Sequence, residues 1–272
     1  MIFACNLFET VHPANCVRNT SLGNNLFKIA AVVGAANTFS AKWCISDWEH
    51  AECFNYSWPF CESAEHVIVC EEDAPGRYTP IVPPVNNELL NGLYLVEGYR
   101  QSYKYFENCA ADIRDMFQPT AAVKEAALAQ TSNFFDKHEE VISVHVRRGD
   151  YLDWHGGNTL PLSYYAAAFN RFDKEAAFLI ISDDPDWCDT MAADLLPERA
   201  YHVVRGNAEV QDMYLISCCR HHINSNSTFA WWGAWLNARS KRVIVPAHWW
   251  PDAVMDDRIP ADWEQLNQHE HY

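Results

Sequence analysis

Between Val141 and Pro246 the chain alternates short β-branched or apolar runs with longer stretches of helical character, and no other feature narrows its fold as much. The runs are Val141–Val146, Ala177–Ile181, Tyr201–Val204, His222–Asn224 and Arg242–Pro246. Between them, helices are expected after Pro161 (with Ser163 as cap) and over Asp186–Leu195, Val210–Cys219 and Thr228–Ala238. Strands separated by helices predict a parallel, doubly wound sheet. Right-handed crossovers then bring the carboxyl ends of the strands to one edge, and that edge is where open α/β sheets bind ligands. It collects Arg147–Asp150, Ser182–Asp184, Arg205–Asn207, Ser225–Thr228 and Pro246–Trp249.

The first run, VISVHVRRGD from Val141 to Asp150, is the sharpest. Apolar residues at 142, 144 and 146 keep a period of two until Gly149-Asp150 stops them, as in a buried strand that empties into a turn. His145, Arg147, Arg148 and Asp150 stand where the ligand of such a sheet would lie; His145 is read as core or ligand. The formal net charge of −16 argues against non-specific binding of nucleic acid or an anionic membrane. It also singles out the adjacent arginines. An acidic protein that binds phosphate needs local cations, and guanidinium groups offer planar, bidentate donors. A persisting strand points the two to opposite sides, one toward a diphosphate and the other toward Asp150 or an opposite domain. A structural Arg–Asp pair is the alternative.

Ser182-Asp183-Asp184-Pro185 has the Asp-rich form of a metal site, but acids that end a strand and open a helix are favoured there as caps. One Asp is expected to cap, leaving the other to accept N–H groups of a purine base. Ser225-Asn226-Ser227-Thr228 opens a helix, where hydroxyls and free N–H groups suit a phosphate or serve as an ordinary cap. His221-His222 lacks metal-pair spacing.

The first half is less regular. Met1–Phe8 reads as a short strand, His12–Thr20 as irregular, and Ser21–Phe27 as a Gly/Asn turn opening onto a helix over Lys28–Ala41. Gly23 and Asn24 would present backbone N–H groups to an anion or sugar hydroxyl. Trp43–Pro59 reads as loop, His66–Cys70 and Leu93–Val96 as strands, Asp73–Asn87 as a proline-rich linker, and Tyr103–Met116 and Ala121–His138 as helices.

A hydrophobic share of 49% supports one large or two modest domains. The aromatic share of 14%, with 11 Trp, fits either sugar stacking or simply a large aromatic core. The sequence shows no signal peptide or 18-residue apolar segment, so no membrane segment, a cytoplasmic location and reduced thiols are expected, the alternative being the lumenal part of an anchored enzyme, for which the thiol expectation reverses. The 10 cysteines contain no Cys-x-x-Cys pair, which disfavours structural zinc.

Taken in order, His145-Val-Arg-Arg-Gly-Asp150, Asp183-Asp184 with Trp187, Asp212-Met213 with Cys219 and His221, and Ser225-Asn-Ser-Thr-Phe-Ala-Trp-Trp-Gly-Ala-Trp-Leu-Asn237 resemble the α-1,2-fucosyltransferases, a group like glycosyltransferase family 11. Leu22-Gly-Asn-Asn-Leu-Phe27 resembles their N-terminal Gly/Asn element, with Ser21 and Asn25 departing from the expected glycine and glutamine. Val245-Pro246 and the final Asp-Trp-Glu resemble their ending.

The resemblance implies a GT-B-like α/β fold of two Rossmann-like domains, divided here as 1–138 (acceptor side) and 139–272 (donor side). It implies metal-independent, inverting transfer of L-fucose from GDP-fucose to a galactose-containing acceptor glycan, with no cofactor. Arg147 would hold the β-phosphate and stabilise the leaving diphosphate. His145 with Asp183 or Asp184 would contact the guanosine, Arg148, Ser225 and Asn226 would line the nucleotide, and Ser227 and Thr228 would bind phosphate oxygens. Asp150, Asp153, His155 and His145 are candidates for the base. An α-1,6 or protein O-fucosyltransferase, and a non-catalytic sugar-nucleotide-binding protein, are the rival readings.

Overall fold

The computed structural model describes residues 1–11, 16–19, 21–61, 67–74, 76–83, 92–153, 157–249 and 257–267. The chain forms two compact units. Unit 1 comprises Met1–Thr120 with Met255–Pro260, and unit 2 comprises Ala121–Val254 with Ala261–Tyr272. The division falls at Thr120/Ala121 rather than at 138/139, because the helices over 121–137 join unit 2.

Unit 1 holds a parallel sheet of β1 (Ile2–Cys5), β4 (Lys42–Ile45), β5 (Val67–Cys70) and β6 (Leu93–Val96), in the order β4-β1-β6-β5. The segment expected to be irregular contains β3 (Cys16–Asn19), paired antiparallel with β2 (Phe8–Val11). Helix α1 runs from Leu22 to Thr38, so Gly23 and Asn24 are not a preceding turn but its first turn. Nearly every residue from Leu22 to Ala36 is buried, as expected for a helix rich in Ala and Val that is covered on all sides. Gly34 is required by the packing there: a Cβ would collide with the Tyr105 carbonyl oxygen.

Trp43–Pro59 is more than loop. It begins within β4, and beyond it Trp48 stacks on Phe54 (centroids 5.3 Å) and meets Trp58 edge-on at 5.1 Å. These rings are core, which answers part of the aromatic excess. The chain then returns beside Ile45 through a parallel bridge to Phe60, bringing Cys44 and Cys61 together as a disulfide with Cα atoms 5.0 Å apart. The expectation that every thiol is reduced is corrected for this pair. Instead of one helix over 103–116, two 3-10 turns precede α2 (Ala110–Met116), because Phe106 and Cys109 leave helical geometry.

Unit 2 begins with α3 (Ala121–Leu128) and α4 (Ser132–Lys137). The break in the expected single helix lies at buried Thr131, whose hydroxyl donates to the Ala127 carbonyl. The alternating region forms β7 (Val141–Val146), α5 (Leu162–Phe169), β8 (Ala177–Ser182), α6 (Pro185–Leu195), β9 (Tyr201–Val203), α7 (Glu209–Cys218), β10 (His221–Ile223), α8 (Thr228–Leu236) and β11 (Arg242–Pro246). A further strand, β12 (Glu264–Leu266), pairs parallel with β11. Ser163 does not cap α5; Pro161 occupies the cap position and Ser163 lies inside the helix.

The sheet order is β12-β11-β10-β7-β8-β9, all parallel. Read from β9, this is the doubly wound 3-2-1-4-5-6 order, which reverses between β7 and β10. The two-residue period decides the faces. Ile142, Val144, Val146, Phe178 and Ile180 pack with α5 and α6, whereas Val141, Leu179 and Ile181 pack with α7. Ser143 and His145 share the second face, which places their polar atoms toward β10 and α8.

Candidate functional site

The switch point between β7 and β10 is where the sheet edge opens, and both strands end there in polar residues. His145 bridges them: its Nδ1 is 2.8 Å from Ser225 Oγ, and its ring lies 5.4 Å from that of Phe229. His145 is 5% exposed. Burial first, and Arg147 second, push its pKa down to about 3, so the imidazole is neutral. One residue pair deeper, Ser143 Oγ lies 2.7 Å from His222 Nδ1, whose Nε2 faces the Asn237 amide at 3.2 Å. Burial lowers His222 to about 3 as well.

Arg147 and Arg148 leave β7 on different errands. The Arg147 guanidinium forks between Asp150 Oδ1 at 2.7 Å and Asp183 Oδ2 at 3.0 Å. Arg148 Nε donates to Asp184 Oδ2 at 2.9 Å, and its guanidinium lies 4.1 Å from the Trp187 ring centroid. The backbone N–H of Arg148 also donates to Asp183 Oδ1 at 2.9 Å. Each arginine is thus held by carboxylates, with the Arg147–Asp150 pair among them. Gly149 makes the approach possible: a Cβ there would stand 2.6 Å from Asp183 Oδ2.

The expected cap is Asp184. Its Oδ1 accepts the Trp187 N–H at 3.2 Å, with Pro185 at the first helical position, a pairing that favours a helix start. The hydrogen bond from Arg148 holds the Asp184 carboxyl below its usual range. Asp183 spends both oxygens on Arg147 and the Arg148 backbone. Among the described residues no cluster of three or more His, Cys, Asp or Glu is placed to hold a metal.

On the β10 side, Ser225 is committed to His145. The Asn226 amide donates to the carbonyls of Asn158 and Trp249, at 3.1 and 3.2 Å, so its nitrogen fastens loops. Ser227 occupies the cap position of α8 without a side-chain bond to the helix. Ser227 and Thr228 stand at the N-terminus of α8, where the N–H groups of a first helical turn suit an anion. The three tryptophans of α8 are structural: Trp231, Trp232 and Trp235 contact one another at 5.1 to 5.7 Å.

Sequence reasoning did not find the tyrosines that fix this frame. Tyr164 donates to the Asn224 carbonyl at 2.6 Å, and Tyr151 donates to that of Asn226 at 3.2 Å. A buried tyrosine needs a partner for its hydroxyl, but nothing in the pattern says which. Asp212, at the start of α7, accepts from the Asn207 amide at 3.0 Å; burial raises its pKa to about 6. Asp153 follows the turn over 150–152, and His155 lies outside the described residues. Gly23 and Asn24 belong to unit 1, where Asn24 Oδ1 accepts from the Gln101 amide at 2.9 Å and Gln101 Oε1 in turn accepts from buried Arg258.

The chain is 32% identical over 170 residues to the O-antigen biosynthesis glycosyltransferase WbnK of Escherichia coli, covering 54% of each. It is 30% identical over 186 residues to an alpha-1,2-colitosyltransferase of Escherichia coli, covering 63% of this chain and 62% of that one. A galactoside alpha-(1,2)-fucosyltransferase 1 of Alouatta belzebul is 26% identical over 161 residues, 52% of this chain and 42% of that one. The chain therefore spans about half the length of these relatives. In fold, it resembles the NodZ alpha-1,6-fucosyltransferase soaked with GDP-fucose, with a TM-score of 0.53 at 16% identity over 90% of this chain and 94% of that one, in agreement with the GT-B-like α/β class. Residues 91–267, which carry the whole β7-to-β12 sheet and its arginine turn, match the model of glycosyl transferase family 11, and the chain belongs to that family.

Proposed function

We propose that the chain transfers L-fucose from GDP-fucose to the 2-hydroxyl of a galactose-containing acceptor, with inversion and without a metal ion. The observation that carries this reading is the Arg147 fork at the switch point, beside the α8 N-terminus. In the displacement, the acceptor O2 forms a bond to fucose C1 as the bond from C1 to the diphosphate oxygen breaks, and the electron pair leaves with GDP. A guanidinium held in place before the reaction, together with the Ser227, Thr228 and helix N–H donors, stabilises charge as it develops on the leaving oxygen. Arg148, stacked on Trp187, keeps the turn in shape.

The proton of the acceptor hydroxyl goes to a base. Asp150 suits that role better than His145: it is exposed and keeps a second oxygen outside its Arg147 bond. A histidine lowered to about 3 is a poor base near neutrality. His145 acts instead as a neutral hydrogen-bonding wall toward the guanosine, locked by Ser225.

The test is GDP release from GDP-fucose in EDTA, with and without lactose, followed by linkage analysis of the product. Acceptor-stimulated release with an α-1,2 product supports the reading; absence of GDP-fucose binding refutes it. The 30% likeness to a colitosyltransferase favours one second reading, colitose as the sugar transferred, and a parallel assay with a GDP-colitose donor separates the two.

A further inference from the structure

Unit 1 carries a recess that the transfer chemistry does not use. It is lined by residues of that unit alone and has a volume of about 570 Å³, within the range of small-molecule sites. One wall is aromatic. Trp43, in β4, and Tyr56 lie with ring centroids 6.2 Å apart and planes 19° from parallel, and Trp58 braces Tyr56 from the side at 5.0 Å. Tyr56 is 40% exposed, so part of the residue remains accessible beside the two rings it contacts. The polar lining comes from α2, where Asp112 and Asp115 stand three residues apart on one helix face, and from the amides of Asn37 and Asn55. All four of these side chains are on exposed residues. Burial and the neighbouring Asp112 carboxylate together raise the Tyr56 phenol, which agrees with ring and carboxylate facing one space.

We propose that this recess is a second carbohydrate site, which seats one neutral pyranose with its C–H face on Trp43 and Tyr56 and its hydroxyls on Asp112, Asp115 and the two amides. A pyranose combines an apolar face with a rim of groups that both donate and accept. Aromatic faces match the first, and carboxylates with side-chain amides match the second. The lining contributes two carboxylates and neither Lys nor Arg. Like-charge repulsion therefore turns away uronic and sialic acids. A quaternary ammonium ion would also use rings and carboxylates, but it has no hydrogen for an amide carbonyl and no acceptor for an amide N–H. The proposal holds whichever sugar is transferred at the switch point.

Saturation-transfer NMR on the full chain tests it, using methyl β-galactoside, methyl β-glucoside, methyl β-N-acetylglucosaminide, glucuronic acid and tetramethylammonium as probes. At least one neutral glycoside is expected to bind and glucuronic acid is not. That binding should weaken at least tenfold in an Asp112→Ala/Asp115→Ala variant and in Tyr56→Ala, with melting curves like the parent's. The proposal is overturned if no neutral glycoside binds, if binding is undiminished in both variants, or if tetramethylammonium binds in preference to every sugar.

Discussion

Replacing Arg147 with alanine separates the chemistry of the site from its contribution to folding. The guanidinium is one-third exposed and pairs with Asp150, which is 61% exposed, and Asp183, which is 26% exposed. Ion pairs this open to water are worth roughly 0–1 kcal/mol each, so Arg147→Ala is expected to cost about 1 kcal/mol. In a protein of this size that shifts the midpoint of melting by roughly 2–4 °C. Transfer should suffer far more. Removing one preorganised donor at a centre of developing charge typically costs about 10²–10³ in turnover, or roughly 3–4 kcal/mol of barrier. Here the loss also leaves Asp150 and Asp183 uncompensated beside an incoming diphosphate, which places the expected loss at the upper end. Arg147→Lys restores the charge but not the fork and should recover only part of the rate. The assay is GDP release from GDP-fucose with lactose, alongside thermal melting. Turnover within a few-fold of the parent in a folded Arg147→Ala protein would refute the role given to this residue.

Four further outcomes follow from the same geometry. Gly149→Ala drives a methyl group into Asp183 Oδ2 and should lower GDP release at least tenfold while the far-UV spectrum is unchanged. His145 and His222 are both held near 3 by burial, against about 6.5 when unfolded. Their contribution is fully present above 6.5 and is lost as the pH falls toward 3, by about 2 kcal/mol each at pH 5; His222→Gln should flatten the loss seen in urea melts between pH 7 and 5. Asp212 has the opposite sign. Its pKa is raised to about 6, so its contribution is present below about 4 and is lost as the pH rises through 6. Asp212→Asn should therefore be the more stable protein at pH 8, by roughly 1–3 kcal/mol, and equal to the parent near pH 4. Opening the Cys44–Cys61 bridge, which spans 17 residues, with a reductant should cost about 3 kcal/mol of stability, measured by urea melts with and without dithiothreitol.

What the sequence revealed, and what it hid, divides along one physical line: period against partner. The β7–β11 strands could be read because a fully parallel sheet writes continuous apolar runs, and its helices write a longer period between them. Strand β12 escaped because Glu264-Gln-Leu is a short edge segment whose place is fixed only by pairing with β11. The same division runs through the site. The sequence placed His145, Arg147, Arg148, Asp183, Asp184 and Ser225 on one edge, because topology alone carries strand ends there. It could not say that Asp183 belongs to Arg147 and Asp184 to Arg148. Those pairings depend on β7 and β8 lying side by side in the register Val146 to Ser182, and on a glycine that lets a carboxylate approach the turn. In unit 1 the strands over Val67–Cys70 and Leu93–Val96 were legible as short apolar runs, but the rings of Trp48, Phe54 and Trp58 follow no period. Their order comes from contacts among side chains distant in the chain, and the disulfide between Cys44 and Cys61 is a consequence of that return rather than of any cysteine spacing. A substitution that leaves every local propensity intact can for this reason still undo the site: Gly149→Ala changes no strand or helix, yet it removes the space on which the Arg147 fork depends.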